Sequence, residues 1–455
     1  MLMSNSFLAG SAKVDITPPL TIPYLGYEPR HALFAGVHDP LYARAVALDD
    51  GTTQVILLAV DAIGYSNDLL GPGRNFTAEV RQRIQARTGV PAAHIMLTTT
   101  HAHSTPETCN LRRLLDTPAV APWLEVVLDQ LTSAAAMAFA QRKPSRLKAG
   151  TGVVAGLARN RRVIGKDGRI LAGPEITPTG VDGTAGPVDT AVGVLYLEGT
   201  ETPTCTVLTN FACHPVTVQV QPLVSADFPG AAMGVIEKSL PNCANSLFFQ
   251  GSCGDINPIR NTTDFADVER YGLMLGGEVI KLAAQMSAPD YPETTPSIQV
   301  RSETILLKVR NLPDRTAVQQ AYTEASNKRT AATTDAERAQ WTRTQRLAEE
   351  KLVLIERGSE PIPAEIQVVR IGDVALVSLP GEPFTELGLA IKQRSPARHT
   401  FVIGYANDWI GYLATPQAWQ QGGYEVGEGP WTRVGPEGGY QLVDKAVEML
   451  TALWQ

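Results

Sequence analysis

Short apolar runs alternate with longer helical patterns along the whole chain, and this alternation limits the fold more than any other feature of the sequence. Such alternation is typical of α/β proteins, so we expect mixed β-sheets flanked by helices. The predicted strands are QVILLAVDA (54–62), HIMLTTT (94–100), TCTVLTNFA (204–212), SLFFQG (246–251), DVALVSLP (373–380) and TFVIGYA (400–406). The predicted helices are 122–141, 265–286, 439–453 and a polar hairpin over 314–356 that breaks within NKRTAATTDAERAQ.

The hairpin predicts a helical insertion at about 312–358 in an otherwise single large domain over 1–455. A net charge of −7 gives no basic surface for nucleic acid, and no apolar run is long enough to cross a membrane. The N-terminus does not have the pattern of a signal peptide. We therefore expect a cytoplasmic protein, with an export signal upstream left open.

Several predicted strands end in a polar loop, and these loops predict the position of a site. In α/β sheets, ligands bind beyond the carboxyl ends of strands. Five polar loops at strand ends, here called polar exits, therefore indicate one shared cleft. The exits are His101-Ala102-His103, Cys213-His214-Pro215, the 252–258 segment SCGDINP, Gly381-Glu382-Pro383 and Asn407-Asp408-Trp409 with Tyr412.

Three of these exits carry residue types that bind metals. His101 and His103 lie in a loop, where both rings can face one ion, although two hydrogen-bonded surface histidines are an equal alternative. His214 alone is more typical of a buried, satisfied imidazole, and Glu382 of an acid at a helix N-terminus. Together, two or three imidazoles and a carboxylate form the usual ligand set of a catalytic zinc. An arginine from LARNRRV (157–163) could bind a carboxylate or steady an oxyanion there.

The five cysteines leave a second mechanism open. Their odd number and the absence of CxxC spacing disfavour a disulfide framework and indicate buried, reduced thiols. Cys253 or Cys213 could act as a nucleophile beside His214, provided that its surroundings favour the thiolate.

An ordered set of segments resembles the neutral/alkaline non-lysosomal ceramidase family, in its N-terminal catalytic domain. The segments are KVDITPP (13–19), GVHDPLYARAVAL (36–48), TTTHAHSTP (98–106), NRR (160–162), NFACHPV (210–216), SADFPG (225–230), GSCGDINP (251–258), GEPF (381–384) and NDWIGYLATPQAW (407–419). They follow the order of the family and cover nearly the whole chain.

The resemblance implies a fold, an activity and a role for each matching residue. The fold is that of the neutral ceramidase N-terminal domain, and the activity is amide hydrolysis that depends on zinc. The implied zinc ligands are His101, His214, Glu382 and Tyr412. The residues implied to act on the reacting carbonyl are His103, Arg161 and Tyr424, and Tyr424 rests on spacing and a local GGYEVG match.

Two departures from the family pattern bear on mechanism and substrate. Asn257 stands where the family has a serine that is sometimes assigned as the nucleophile, so we expect attack by water and place Asn257 and Asp255 in substrate binding. The sequence also ends at Gln455, without the immunoglobulin-like domain that follows in ceramidases. The expected substrate is an N-acyl lipid or a small molecule. A non-lipid ester, lactone or small amide on the same fold, or a non-catalytic zinc-binding descendant, remains an alternative.

Overall fold

The computed structural model describes residues 7–24, 33–111, 114–171, 180–260 and 262–455. The strands in these ranges are β1 (Leu8–Asp15), β2 (Gly36–Val37), β3 (Tyr42–Asp49), β4 (Gln54–Val60), β5 (Ile95–Thr99), β6 (Lys143–Val153), β7 (Ala158–Asn160), β8 (Val163–Gly165), β9 (Val181–Thr184), β10 (Ala191–Gly199), β11 (Cys205–Phe211), β12 (Leu223–Val224), β13 (Cys243–Gln250), β14 (Ile256–Pro258), β15 (Ile298–Leu307), β16 (Ile362–Ile371), β17 (Val374–Ser378), β18 (Glu382–Pro383), β19 (His399–Ile403) and β20 (Tyr412–Leu413). The α-helices are α1 (Phe76–Thr88), α2 (Val120–Ala140), α3 (Asp227–Ser239), α4 (Phe265–Met286), α5 (Arg315–Ala331), α6 (Asp335–Glu356), α7 (Thr385–Arg394), α8 (Pro416–Gln421) and α9 (Gly438–Trp454).

Two large mixed sheets form the centre of the fold, as the alternation of strands and helices predicted. The larger sheet has the order β13-β11-β10-β6-β1-β3-β4-β5, and the smaller has the order β15-β16-β17-β19. Most neighbouring strands are antiparallel, but β4 with β5, β11 with β13 and β17 with β19 are parallel. The predicted polar exits follow strands of these three parallel pairs.

The two sheets contact each other through one apolar cluster and through hydrogen bonding at the edge of β5. The cluster takes Leu57 and Phe249 from the larger sheet and Leu376 and Phe401 from the smaller. At the edge of β5, the Asn407 side chain accepts a hydrogen bond from the backbone N–H of Leu97 at 3.0 Å. The loops after β5 and after β19 are therefore held side by side.

The long helices match their predicted positions, and the hairpin breaks where its sequence indicates. α4 starts after Asp264, whose carboxylate accepts hydrogen bonds from the N–H groups of the first helical turn. α6 starts after Thr334, which forms a reciprocal capping box with Glu337. The first helix of the hairpin ends at Ala331 and this cap begins the second, both within the predicted break.

The helical hairpin lies between β15 and β16 along the chain, at the predicted insertion. That residues 1–455 form a single domain stays a prediction. In the part of the chain that the structure describes, none of the helices combines the length and the apolar character that a membrane crossing requires.

Gly10 shows how closely α2 packs on β1, and it gives a first prediction. A Cβ at Gly10 would lie 2.3 Å from the carbonyl oxygen of Ala138 and 2.6 Å from the backbone nitrogen of Arg142. Backbone atoms cannot move aside, so Gly10→Ala should lower the free energy of unfolding by about 2–3 kcal/mol. Denaturant unfolding measures this loss.

Gly277 provides the matched control for that measurement. It lies within α4 and is exposed, and a Cβ added at this position would meet no atom within 4 Å outside its own helix backbone. Gly277→Ala should raise helix stability by about 0.5–1 kcal/mol. Equal effects of the two substitutions would contradict the close packing of α2 on β1.

Candidate metal centre

His101 and His103 follow β5 and turn their imidazoles toward each other. His101 has a φ of 65°, and its N–H donates to the carbonyl of Ala62 at 2.9 Å. Nδ1 of His101 contacts the carbonyl oxygen of Ile63, which can only accept, so Nδ1 carries the proton and Nε2 keeps its lone pair in the neutral ring. Nε2 of His103 lies 3.1 Å from Nε2 of His101.

His214 enters the same cluster from the end of β11. Its Nδ1 donates to the carbonyl oxygens of Cys253 at 2.6 Å and Ile256 at 3.1 Å, so its Nε2 is also available to act as a ligand atom. Burial, and then the charge of Arg161, lowers the pKa of His214 to about 4. The ring is therefore neutral at pH 7, which is the form that binds a metal.

Glu382 completes the cluster with a buried carboxylate. Its Oε2 lies 3.2 Å from Nε2 of His214 and 3.4 Å from Nε2 of His101. Burial alone would raise the pKa of Glu382, but electrostatic attraction to His101 and hydrogen bonds with His101 and His214 outweigh it and hold that pKa below its usual value. Glu382 lies in β18, ahead of α7, so the alternative of an acid at the helix N-terminus does not describe its contacts.

The spacing of these donors fits a single cation. The ring nitrogens of His101, His103 and His214 lie within 4.8 Å of one another, and all three residues are buried. Ligands on a tetrahedral zinc with Zn–N bonds of about 2.05 Å are about 3.3 Å apart, close to the separations at Glu382. Three imidazole nitrogens and one carboxylate at these separations thus suit zinc.

Tyr412 lies opposite Glu382, because β18 and β20 pair in parallel with these two residues in register. Its hydroxyl accepts a hydrogen bond at 3.0 Å from Nη2 of Arg161, which also donates to the carbonyl of Gly254 at 2.7 Å. Arg161 follows β7, and its Nη1 donates to Oδ1 of Asn257 at 3.3 Å. The structure therefore brings the predicted Tyr412, Arg161 and Asn257 together.

Asp255 and Tyr424 lie at the edges of this arrangement. Asp255 accepts hydrogen bonds from the N–H and the hydroxyl of Thr385, and from Asn160, which fixes its loop against the start of α7. Tyr424 is 42% exposed, stacks on Trp431, and has its ring centroid 6.0 Å from that of Tyr412. The role of Asp255 in substrate binding and that of Tyr424 in catalysis stay predictions.

Two contributors to the site, Tyr405 and Glu425, were missed at the sequence level, and a third, Trp409, was placed in the cleft without a role. Tyr405 stacks on His101 at 4.0 Å, and Trp409 donates from Nε1 to Oε1 of Glu382 at 3.0 Å. Glu425 accepts from Nε of Arg161 at 2.8 Å and from Nη1 of Arg162 at 2.6 Å. The polar exit after β19 pointed to Trp409, whereas Glu425 follows Tyr424 with no pattern that distinguishes it from a surface acid.

The contacts of the two candidate nucleophilic thiols argue against a cysteine mechanism. The Cys253 sulfur lies 3.1 Å from the hydroxyl of Tyr405, and the Cys213 sulfur contacts the carbonyl of His214 at 3.8 Å. In neither of these contacts does the sulfur meet an imidazole nitrogen that could take its proton. Burial also raises the pKa of both thiols well above the usual value, so the thiolate form is disfavoured.

Asp61, just after β4, gives a prediction for the dependence of stability on pH. Burial raises the pKa of Asp61 to about 6. The native state then binds this proton more tightly than the unfolded state does. The free energy of unfolding therefore falls as the pH rises from about 4 to 6. The free energy of unfolding of Asp61→Asn, relative to that of the parent protein, should rise by about 2 kcal/mol between pH 4.5 and pH 7.5. Chemical unfolding at both pH values measures the gain.

The exposed residue Asp290 provides the control, because Asp290→Asn removes a carboxyl that water already solvates. Parallel stability curves for the parent protein and Asp61→Asn would show that Asp61 titrates alike in the folded and unfolded chains, and would contradict the prediction.

Comparison with known proteins places this α/β fold in a recognised class. A crystal structure of neutral ceramidase from Pseudomonas aeruginosa superposes with a TM-score of 0.71 and 19% identity, covering 98% of this chain and 74% of that one. A structure described as ceramidase complexed with C2 gives 0.72 and 18%, with coverage of 98% and 75%. At these identities the structures show a shared fold.

The family itself follows from the sequence. The model for the N-terminal domain of neutral/alkaline non-lysosomal ceramidases matches residues 7–267, more than half of the chain, and the chain belongs to this family. The Pseudomonas aeruginosa neutral ceramidase is 22% identical over 97% of this chain and 72% of its own length. The expected resemblance is thus confirmed, with Glu382, Tyr412 and Tyr424 lying beyond the matched range.

Proposed function

We propose that this protein is a zinc-dependent hydrolase that cleaves the amide bond of an N-acyl lipid such as ceramide. The observation that carries the proposal is the buried cluster in which the carboxylate of Glu382 lies 3.2 and 3.4 Å from the Nε2 atoms of His214 and His101. Membership of the ceramidase family supports the choice of an amide as the bond that is cleaved.

The zinc ligands in this proposal are His101, His214, Glu382 and Tyr412. Backbone carbonyls fix the tautomers of both histidines, and Trp409 holds the second carboxylate oxygen of Glu382, so the donors are oriented before an ion arrives. When bound, zinc supplies a Lewis acid that polarises a carbonyl and lowers the pKa of water to about 7.

The remaining side chains act on the substrate and on protons. The buried Nε2 of His103 faces the cluster, where it would take a proton from the attacking water and pass it to the leaving nitrogen. The new C–O bond forms, the C–N bond breaks, and a carboxylic acid and an amine result. Tyr424, at the exposed edge, would contact the substrate.

Arg161 and Asn257 fix the geometry of this reaction. The guanidinium of Arg161 is shared among Glu425, Asn257, Gly254 and Tyr412, so it holds the tyrosine hydroxyl in place as well as offering positive charge to an oxyanion. Asn257 cannot form an acyl ester as a serine can, which favours water as the nucleophile. In the same proposal, Asp255 supports the loop that carries Asn257.

Metal analysis combined with a substrate panel tests the proposal. We expect about one zinc per chain, and hydrolysis of ceramide or a shorter N-acyl amide that a chelator abolishes, zinc restores and thiol alkylation leaves unchanged. Simple esters and lactones in the panel distinguish other acyl substrates on the same site. Full activity in metal-free protein, or loss of activity on alkylation, would refute a zinc mechanism. Zinc binding without turnover of any acyl substrate would instead indicate a binding protein.

A further inference from the structure

Two of the five cysteines face each other at the end of the sheet away from the metal centre. Cys205 begins β11, Cys243 begins β13, and the two residues are directly paired in the parallel register. Neighbouring strands lie about 4.8 Å apart. Paired residues thus fall within the Cα separation of about 4.4–6.8 Å that a disulfide requires.

The side chains of this pair are in contact as thiols. The side chains of Cys205 and Cys243 are within hydrogen-bond contact of each other, and both residues are 5% exposed. The structure holds them as free cysteines. The exposed residues 201–204 and 241–242 lead directly into the two strands, so only short turns separate the thiols from solvent.

The pair is also separate from the candidate active site. β11 runs from Cys205 to Phe211 and is followed by His214, so the thiols lie about 25–30 Å from that imidazole along an extended strand. Cys213 and Cys253, by contrast, lie at the other ends of these strands, beside the metal centre. Chemistry at Cys205 and Cys243 therefore need not involve the hydrolytic reaction.

We propose that Cys205 and Cys243 form an oxidisable dithiol that a peroxide converts into a structural disulfide. The sulfur of Cys243 attacks one oxygen of hydrogen peroxide, the O–O bond breaks, and a sulfenic acid and one water form. The sulfur of Cys205 then attacks the sulfur of Cys243, the S–S bond forms, and a second water leaves. Two thiols lose two electrons in total, and the peroxide gains them.

In this proposal Cys243 reacts first, because its contact with Cys205 favours its thiolate. The contact with the Cys205 side chain lowers the pKa of the Cys243 thiol below its usual value. The more readily formed thiolate is the one that attacks the oxidant. Cys205 is in contact with the resulting sulfenic acid and resolves it before further oxidation.

Mass spectrometry of the folded protein tests the proposal. Reduced protein is treated with a small excess of hydrogen peroxide, blocked with N-ethylmaleimide under denaturing conditions, and digested with trypsin and chymotrypsin. Cleavage after Phe211 and Phe249 separates Cys205 from Cys213 and Cys243 from Cys253. We expect a linked peptide containing Cys205 and Cys243, two hydrogens lighter than its parts, and a rise in apparent Tm of about 3 °C.

Variants identify the chemistry. Cys205→Ser should trap the sulfenic acid of Cys243, detectable with dimedone, and should give no linked peptide, whereas Cys109→Ser should still form the link. If all five thiols survive a peroxide dose that oxidises a surface thiol of a reference protein, the proposal is wrong. A Cys213–Cys253 link in place of the expected one would overturn it equally.

Discussion

The His101→Ala protein should lose its zinc and about three orders of magnitude in kcat/KM, equivalent to about 4 kcal/mol of transition-state stabilisation. The reason is that Nε2 of His101 lies within 3.1–3.4 Å of both His103 and Glu382, so its removal takes a donor from the centre of the cluster. Elemental analysis and steady-state hydrolysis of an N-acyl amide measure the two losses on one preparation.

His94→Ala is the matched control for this experiment. His94 lies before β5, and its ring contacts the carbonyl of Gln54, remote from the cluster. The His94→Ala protein should keep its zinc and its activity within about twofold, because the substitution lies outside the cluster. A His101→Ala protein that retains a stoichiometric metal and full turnover would place the metal centre elsewhere and remove the basis of the proposed function.

Glu382→Gln should produce a similar loss with a folded protein. Glutamine keeps the shape of the side chain and an oxygen that can accept from Trp409, but it removes the negative charge that faces His101 and His214. Zinc affinity should fall about 100-fold or more, and kcat/KM by about 10³, because a carboxylate ligand becomes a neutral amide. Competition with a zinc chelator measures the affinity.

Glu386→Gln, four residues further on in α7, is the control here. Its carboxylate accepts a hydrogen bond from Tyr440 and makes this contact away from the imidazoles. Near-normal zinc affinity in Glu382→Gln, combined with lost turnover, would reassign Glu382 from metal ligand to proton acceptor. Unchanged affinity and unchanged turnover together would exclude both roles.

The sequence predicted those parts of the fold and of the site that depend on residues close together in the chain. The run 54–62 predicted β4, and the helical pattern at 265–286 predicted α4 to the residue. Polar residues after apolar runs predicted that His101, His214 and Glu382 would converge, since strand exits at one edge of a sheet lie together. Each of these features follows from a local pattern of residues, and a single sequence displays such patterns.

The contacts that orient the site could not be predicted in this way. The acceptors for the Nδ1 atoms of His101 and His214 are backbone carbonyls, which any residue type supplies. Glu425 meets Arg161 across 264 positions of the chain, and no local spacing reports such a pairing. The positions of the antiparallel strands in the two sheets likewise depend on pairing with strands that are distant in the sequence.

The four side chains assigned to zinc come from segments spread between residues 101 and 412, which follow strands of both large sheets. An ion held by all four would therefore act as a cross-link between distant parts of the chain. At a free concentration a thousand times its Kd, it would add about 4 kcal/mol to folding. Metal-starved cells would then hold less of this protein, because the ion-free chain opens more often and is degraded sooner.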